Sequence, residues 1–304
     1  MRMSEWIDAA LVQAFEAEKT DAYRLSTGED GWVERFGADV LVSHKTDAAQ
    51  ERLTNEFYLW SLSVGFKFAR IFARFLPKKN AEREAPRLIV GEAESSLGAL
   101  ATERQLRYGI DFGAGYSCGL FLDQRNNRSF VRRSAPKKLL NCFAYTCSFS
   151  VAAASVDAST VNVDLSKKSL LRGRENFALN ELPMTNHEFV AGDVMEFLPR
   201  LARKGEKFDT IILDPPTFSR SHRGKAFQVE RDYETLLSHA LELAERDARL
   251  LLSTNCTTLN ARALEVVARF CLKASRRAGK LHSEPALPDF PAEAGASTVW
   301  LTLR

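Results

Sequence analysis

Apolar and polar residues follow two different patterns on either side of residue 135. Before that point, short apolar stretches alternate with turn residues and with apolar residues at helical spacing. The expected elements are an amphipathic helix within residues 1–20, strands at 22–25, 87–91 and 107–112, a hairpin over 32–43 and a long helix over 51–76. This mixture predicts a small α+β domain.

After residue 135, predicted strands and helices alternate strictly. Strands are expected at 138–145, 160–165, 188–191, 208–213, 249–253, 280–283 and 298–303, with helices at 148–155, 166–180, 194–203, 233–244 and 260–274. Such alternation is typical of a doubly wound, Rossmann-like parallel sheet. Only a loop joins the last two strands, so we expect these two to be antiparallel. The predicted fold is α/β, with a seven-stranded sheet whose last strand is antiparallel and a smaller N-terminal α+β domain.

The fourth strand of this series runs directly into a rigid acidic stop, Asp214-Pro215-Pro216. Residues 210–213 are all apolar or β-branched, as in a central parallel strand that is covered on both faces. The two prolines prevent the strand from continuing and stiffen its exit. Because open α/β sheets bind ligands at the carboxyl ends of their strands, we expect this stop to line an active site.

The turn after the first strand of the series, residues 144–149, contains no glycine. Enzymes that bind dinucleotides place a pyrophosphate at a helix N-terminus and use glycines to let it approach the backbone. The turn therefore argues against a dinucleotide and leaves open a ligand without a phosphate.

Acidic residues end the second, third and fourth strands: Asp164, Asp193 and Asp214. A carboxylate about 20 residues beyond the first turn can accept both hydroxyls of a ribose, and the next can accept the amino group of an adenine. Helix capping is an alternative role, by Asp164 or Ser166 for one helix and by Asp193 for the next. Three acids at successive strand ends favour an adenosine-shaped site over three unrelated caps.

Composition excludes some classes of protein. No apolar run reaches the roughly 18 residues that span a bilayer, and the N-terminus lacks a signal-peptide core, so we expect a cytoplasmic protein without membrane contacts. The 5 cysteines show no metal-ligand spacing, and we expect no metal. A net charge of +3 makes no case for nucleic acid by itself, although basic clusters occur at residues 132–138, 220–225 and 276–277.

A series of motifs in a fixed order resembles a known family. The motifs are Gly119-Leu-Phe-Leu-Asp-Gln-Arg-Asn-Asn-Arg128, Leu140-Asn-Cys-Phe-Ala-Tyr-Thr-Cys-Ser-Phe-Ser150, Asn162-Val-Asp-Leu-Ser-Lys-Lys168, Arg174-Glu-Asn-Phe177, Gly192-Asp193, Asp214-Pro-Pro-Thr-Phe-Ser219 and Leu287-Pro-Asp-Phe-Pro291. In this order they are similar to the S-adenosylmethionine-dependent methyltransferases related to bacterial 23S rRNA base methyltransferases, which modify cytosine C5 or guanine N7. The resemblance extends over residues 20–304.

This resemblance implies a class I methyltransferase domain over residues 131–304 and S-adenosyl-L-methionine as the cofactor. It implies an N-terminal helix over residues 1–20 and then a small α+β domain with a cofactor-covering segment over residues 21–130, in which residues 122–128 would fold over the cofactor. It implies no RNA-binding PUA domain of the kind some members carry. The implied cofactor-binding residues are Gln124, Arg125, Phe143, Ala144, Tyr145, Thr146, Asp164, Leu165, Ser166, Asp193, Asp214, Pro215 and Pro216.

Within that set the resemblance implies distinct roles. Residues 143–146 would line the methionine side, Asp164 would hold the ribose, Asp193 the adenine, and Asp214 would face the transferred methyl group. The chain departs from the family at the first turn, where Cys147 and Ser148 stand in place of the usual glycine. Because both side chains are small, we expect cofactor binding to survive in weakened form.

Asp214 and Cys256 are the candidate catalytic residues. Carbon 5 of a pyrimidine accepts a methyl group only after a thiolate has added to carbon 6. Cys256 occupies the position at which 5-methylcytosine-forming relatives carry Ser-Cys-Ser. It is equally compatible with the role of an ordinary small loop residue. The segment from Asp214 to Tyr233 is more similar to relatives that methylate a guanine ring nitrogen, whose own lone pair makes a covalent intermediate unnecessary.

The loop after Asp214 carries residues suited to RNA. Phe218 and Tyr233 could stack on an extruded base, and Arg220 and Arg223 could contact phosphates. The alternative is a mobile polar loop beside core aromatic residues.

The leading hypothesis is an enzyme that methylates a base of large-subunit rRNA. One rival is a methyltransferase for a non-RNA substrate, and another is a cofactor-binding protein that has lost turnover. The sequence does not specify the target nucleotide or the oligomeric state, and it is compatible with a homo-oligomer.

Overall fold

The computed structural model describes residues 4–77, 83–92, 96–220, 226–291 and 294–304. The chain divides into two compact units. The first comprises Met1–Leu122 together with Leu287–Pro291, and the second comprises Asp123–Ala286 together with Ala292–Arg304. None of the helices in the described ranges combines the length and apolar character needed to cross a membrane.

The first unit is built on a six-stranded sheet. Its elements are β1 (Glu5–Trp6), α1 (Ala9–Ala17), β2 (Ala22–Gly28), β3 (Gly31–Phe36), β4 (Asp39–His44), α2 (Asp47–Val64), β5 (Arg70–Phe75), β6 (Arg87–Val90), β7 (Gly98–Glu103) and β8 (Leu106–Asp111). The first six strands pair in chain order, and only β4 with β5 is parallel, because α2 provides the crossover that a parallel pair needs. β7 and β8 form a separate hairpin. The hairpin expected over residues 32–43 is confirmed as β3–β4.

The long helix expected over residues 51–76 is wrong in its second half. The helix α2 ends at Val64, where Gly65 adopts a left-handed conformation (φ 67°) and its N–H donates to the carbonyl of Ser61. Glycine is the usual residue for such a helix end. The apolar residues that follow, Phe66 and Phe68, pack against Phe57 of the helix with ring centroids 6.1 and 4.8 Å apart. These two residues belong to a loop that packs against α2, and the rest of the expected helix is the strand β5 (Arg70–Phe75).

The second unit contains the alternating elements. A short 3-10 turn (Leu122–Gln124) leads into it. The elements are α3 (Arg125–Ser134), β9 (Lys138–Cys142), α4 (Ser148–Ala154), β10 (Ser159–Asp164), α5 (Lys167–Leu179), β11 (His187–Ala191), α6 (Val194–Arg203), β12 (Phe208–Leu213), β13 (Phe218–Arg220), β14 (Ala226–Gln228), α7 (Val229–Leu243), β15 (Ala244–Thr254), α8 (Ala261–Ala274), β16 (Gly279–His282) and β17 (Ser297–Leu303).

Seven of these strands form one sheet in the order β11-β10-β9-β12-β15-β17-β16. The first five are parallel to their neighbours, and β17 is antiparallel to both β15 and β16. The predicted Rossmann-like sheet with an antiparallel last strand is confirmed. The strand order reverses direction between β9 and β12, the position at which open α/β sheets bind their ligands.

Register brings the strand ends of this sheet side by side. Leu213, the last residue of β12, pairs with Cys142 on one side and Leu252 on the other. Cys142 also pairs with Val163 of β10. Residues 143, 164, 214 and 253, one step beyond these pairs, therefore emerge together at one edge of the sheet.

The short hairpin β13–β14, which was not predicted, follows the strand end at Asp214. Phe218 pairs with Gln228, and Ser219 pairs with Phe227. Residues 221–225, which include Arg223, lie outside the described residues. The hairpin carries the expected substrate-binding residues Phe218 and Arg220 immediately after the acidic stop.

Candidate active site

The turn after β9 has an unusual backbone. Phe143, Tyr145 and Cys147 all have positive φ, at 58°, 47° and 59°. Such values are uncommon for residues with a side chain, and glycine adopts them more readily. The Cys147 sulfur packs on Gly173 of α5, where a β-carbon would lie only 2.5 Å from it. A glycine in the neighbouring helix thus makes room for the side chain that the turn carries.

Asp164, at the end of β10, is held by backbone donors. Its carboxylate accepts from the N–H of Tyr145 and from the N–H of Ser166, each at 2.8 Å. Burial raises the pKa of Asp164, and these two amide donors act in the opposite direction. Ser166 caps α5 by accepting from the N–H of Ser169, so Asp164 is not needed as a cap for that helix. The carboxylate joins the first turn to β10 and still has lone pairs to offer.

Asp193 serves as the cap of α6 and also lines a cleft. Its side chain accepts from the N–H of Met195 at 2.9 Å. The cleft beside it has a volume of about 420 Å³. Its lining residues are Leu165, Val190, Ala191, Gly192, Asp193, Glu196, Phe197, Arg200, Leu201 and Lys204. Both roles that the sequence suggested for Asp193, capping and ligand contact, are compatible with this position.

Asp214 is the acid at the topological switch of the sheet. Burial raises its pKa to about 6, and the nearby Asp123 adds to the rise, whereas a hydrogen bond from Ser253 and the charge of Arg128 lower it. The Ser253 hydroxyl donates to Asp214 Oδ1 at 2.6 Å. Pro215 is buried and Pro216 is exposed. A carboxyl group that changes charge near neutral pH is suited to proton transfer and to binding amino groups.

This edge of the sheet fits an adenosine-bearing ligand. An apolar wall formed by Leu165, Val190 and Phe197 stands beside Asp193, as a stacked purine requires. A β-carbon added at Gly192 would meet nothing within 4 Å, so the backbone there is open to a ligand. Asp164 is half-buried on the neighbouring strand, with acceptor capacity left for hydroxyl groups.

The segment expected to cover the cofactor is deeply buried. Gln124 is 2% exposed and Arg125 0% exposed. The Gln124 amide donates to the Ser253 hydroxyl at 2.8 Å, which places it next to Asp214. Of the first-turn residues, Ala144 and Thr146 are buried and Phe143 and Tyr145 are half-buried. Phe143 packs against Phe227 of the hairpin, with ring centroids 5.5 Å apart.

The expected substrate-binding residues differ in their exposure to solvent. Phe218 is 51% exposed and Arg220 is exposed beside it on β13. Tyr233 is 1% exposed, and its hydroxyl shares its one hydrogen between the carbonyls of Leu213 and Ser253, at 3.3 and 3.2 Å. Phe218 and Arg220 therefore come together at the surface, whereas Tyr233 lies in the core and supports the two strand ends.

Cys256 lies in the core, 8% exposed. Its sulfur is 3.0 Å from the Thr258 hydroxyl, and that hydroxyl donates its hydrogen to the Glu230 carboxylate. Because Thr258 has one hydrogen to donate, the Cys256 thiol must be the donor toward Thr258. The described hydrogen-bond partner of the sulfur is thus a hydroxyl that is itself bound to an anion, whereas nucleophilic cysteines use an adjacent base or cation.

Sequence reasoning did not single out Ser253 or Asn127 as site residues. Ser253 is a polar residue at the end of a buried strand, which is the same signal that identified the three acids. Asn127 lies in α3, which was not predicted. The sequence of this helix is mostly polar, yet Arg125, Asn127, Arg128 and Val131 are buried in it. Burial of that helix depends on its packing in the second unit, and no local pattern shows it.

Comparison with known proteins identifies the family of the chain. A family model described as S-adenosylmethionine-dependent methyltransferase matches residues 51–302. Ribosomal RNA large subunit methyltransferase I of Aeromonas salmonicida is 34% identical over 280 residues, which are 88% of this chain and 70% of the relative. Ribosomal RNA large subunit methyltransferase K/L of Legionella pneumophila is 38% identical over 164 residues, 53% of this chain and 23% of the relative.

Solved structures show the same fold. A crystal structure of SMU.776 complexed with SAH, the demethylated cofactor, has a TM-score of 0.79 at 24% identity and covers 99% of this chain and 83% of that one. The S-adenosylmethionine-dependent methyltransferase from Agrobacterium tumefaciens has a TM-score of 0.72 at 20% identity, covering 93% and 90%. With its sheet, its three strand-end acids and these relatives, the chain belongs to the S-adenosylmethionine-dependent methyltransferase family.

Proposed function

We propose that this enzyme methylates a base of large-subunit rRNA in the cytoplasm. The observation that carries the proposal is the identity of 34% over 88% of the chain with a relative named for that activity. The exposed hairpin beside Asp214 supports an RNA substrate. The match covers 88% of this chain, which leaves room outside it only near the ends, so the shared region includes the cofactor site and the hairpin; it covers 70% of the relative.

The strand ends supply the groups that S-adenosylmethionine needs. Asp164 would accept the ribose hydroxyls, the cleft beside Asp193 would hold the adenine, and the turn at residues 143–146 would line the methionine side. When bound, the cofactor supplies an electrophilic methyl group on a sulfonium. Asp214, with Pro215 and Pro216, would stand nearest to the acceptor atom and fix its position. Positioning in a closed site accounts for much of the rate of such displacements.

The hairpin β13–β14 would present the RNA. Phe218 offers an exposed aromatic face on which an unstacked base can lie, and Arg220 offers a cation for a neighbouring phosphate. Stacking on an aromatic side chain contributes about 1–3 kcal/mol per base. Because the whole chain has a net charge of only +3, the attraction for RNA would come from this local surface rather than from the overall charge.

We propose a base nitrogen as the methyl acceptor. A ring nitrogen has its own lone pair and needs no covalent activation, so Asp214 would hold the base by accepting a hydrogen bond from it, and would take up a proton only where the acceptor nitrogen carries one. Methylation at a pyrimidine carbon needs a cysteine nucleophile instead. Cys256 is engaged as a hydrogen-bond donor to Thr258, which favours the direct route.

Mass spectrometry of rRNA nucleosides from a deletion strain and its parent tests the function. We expect one methylated base to disappear from large-subunit rRNA, and to return when the wild-type gene but not its Asp214→Ala variant is supplied. An identical nucleoside profile in all strains would refute the rRNA assignment.

A second measurement distinguishes methylation of rRNA from binding of the cofactor alone. Purified protein is incubated with methyl-labelled cofactor and with rRNA from the deletion strain or from the parent. Label should enter only the rRNA of the deletion strain, whose site is unmodified. If calorimetry detects cofactor binding but neither RNA takes up label, the enzyme acts on a different substrate.

A further inference from the structure

A row of buried side chains leads from β17 to Asp214 within the second unit. The indole N–H of Trp300 donates to Asn127 Oδ1 at 2.9 Å, and Asn127 Nδ2 donates to Gln124 Oε1 at 2.8 Å. Gln124 Nε2 donates to Ser253 Oγ at 2.8 Å. The Ser253 hydroxyl donates to Asp214 Oδ1 at 2.6 Å. We call these four donors, Trp300, Asn127, Gln124 and Ser253, the relay.

The chemistry of its two ends fixes the direction of the relay. An indole N–H can only donate, so Asn127 must turn its carbonyl toward Trp300 and its amide hydrogens toward Gln124. The same reasoning turns the carbonyl of Gln124 toward Asn127 and its amide hydrogens toward Ser253. The single hydroxyl hydrogen of Ser253 is then directed to Asp214. An ionised carboxylate can only accept, so the relay runs from an obligate donor to an obligate acceptor.

Burial makes each link of the relay costly to break. Trp300 and Ser253 are 0% exposed, Gln124 is 2% exposed and Asn127 is 3% exposed. A buried polar group that loses its partner cannot turn to water instead, so each member constrains the next. The members come from β17, α3, the 3-10 turn and β15, and the relay therefore fixes the covering segment against the strand ends.

We infer that the relay positions the Asp214 carboxylate and favours its ionised form, so that Gln124 acts as a positioning residue for Asp214. The inference rests on the proposed function for the role of Asp214 in methyl transfer, although the relay itself can be tested without cofactor or RNA. Neighbouring charged and titratable groups that face Asp214 are Asp123, which favours its neutral form, and Arg128, which favours its anion. Tyr233 lies beside it as a buried, neutral phenol.

The test is the titration of Asp214 itself. The full-length protein is labelled with carbon-13 at aspartate carboxyl groups, and Asp214→Asn identifies the signal. In the wild type we expect a pKa of about 6. In Ser253→Ala the pKa should rise by about 1, because a charge-assisted hydrogen bond to the anion is lost. Gln124→Leu should give a smaller rise, and Ser253→Thr, which keeps the hydroxyl, should return the wild-type value.

Ser150→Ala is the matched control. The Ser150 hydroxyl is also buried and accepts from Asn141 at 3.0 Å, but it has no part in the relay. An unchanged Asp214 pKa in either Ser253→Ala or Gln124→Leu would overturn the inference, as would an equal rise in Ser150→Ala. If the relay variants shift the pKa while the wild type transfers no methyl to RNA, the relay stands and the proposed function fails.

Discussion

The acids at the ends of β10 and β12 are held in different ways. In the first-turn corner, which we define as residues 143–147 with Asp164 and Ser166, two backbone amides fix the carboxylate. In the Asp214 corner, which we define as Asp214, Ser253 and Gln124, a side-chain hydroxyl fixes the carboxylate and a side-chain amide fixes the hydroxyl. Burial raises the pKa of both acids.

This difference separates what the fold provides from what individual side chains provide. Amide donors in the first-turn corner come with the backbone conformation, and they change only when that conformation changes. Donors in the Asp214 corner can be removed one at a time by substitution. The first-turn corner should therefore respond to changes in packing and the Asp214 corner to changes in polar groups.

Removal of the acid from the first-turn corner should have the largest effect. Asp164→Ala leaves the amides of Tyr145 and Ser166 without their acceptor, at about 1–3 kcal/mol for each buried donor. We expect a similar loss, about 1–3 kcal/mol, in the free energy of cofactor binding, because the ribose hydroxyls lose their acceptor. Denaturant unfolding and calorimetry measure the two losses. Asp164→Asn keeps one acceptor oxygen and should lose less of both, and equal values for all three proteins would contradict this role.

Protonation of Asp214 should make the free energy of unfolding depend on pH. Between the ordinary value of 3.8 and about 6, native Asp214 keeps a proton that the unfolded chain has released. The free energy of unfolding therefore falls as pH rises through this window, by up to about 3 kcal/mol, and this contribution is constant above it. Asp164 contributes in the same direction, so the measurement is the difference between wild type and Asp214→Asn. A difference that does not vary from pH 3.8 to 6 would contradict the raised pKa.

Crowding the first-turn corner should have a moderate effect. In Gly173→Ala the new methyl group would lie 2.5 Å from the Cys147 sulfur. Overpacking of this kind costs about 1–3 kcal/mol of unfolding free energy. The double variant Cys147→Gly with Gly173→Ala should recover most of the loss, because glycine also suits the positive φ of residue 147.

Gly192→Ala is the matched control for this comparison, since its β-carbon would meet nothing within 4 Å. Additive effects of the two substitutions in the double variant would show that Cys147 and Gly173 do not depend on each other.

The sequence predicted the strand ends of the second unit well. The limits of α6 and β12 agree with the structure, and Asp164, Asp193 and Asp214 lie where alternation placed them. Parallel strands that are buried on both faces leave a continuous apolar signal, and a polar residue that ends it stands out. The positions of acids at the site are therefore readable from local pattern.

The partners of those acids were not readable in the same way. Gln124 and Ser253 are 129 positions apart, and Asn127 and Trp300 are 173 apart, so no local pattern relates them. In the first unit, the apolar residues after Val64 were expected to continue α2, but they form a loop that packs against the helix and then the strand β5. Tertiary packing decides such cases, and it also decides that α3 buries a polar sequence.

The smallest expected effect concerns Cys256, which belongs to neither corner. The thiol donates to Thr258 within the core, so we expect Cys256→Ala to cost some stability and to leave methyl transfer within about twofold of the wild-type rate, or about 0.4 kcal/mol in activation free energy. Asp214→Ala, measured beside it with the same rRNA, should lose at least about tenfold, or about 1.4 kcal/mol. A loss of several orders of magnitude in Cys256→Ala, with folding retained, would instead establish a covalent route through carbon 6 of a pyrimidine. Nucleoside analysis of the product then decides between a methylated ring nitrogen and a 5-methylpyrimidine.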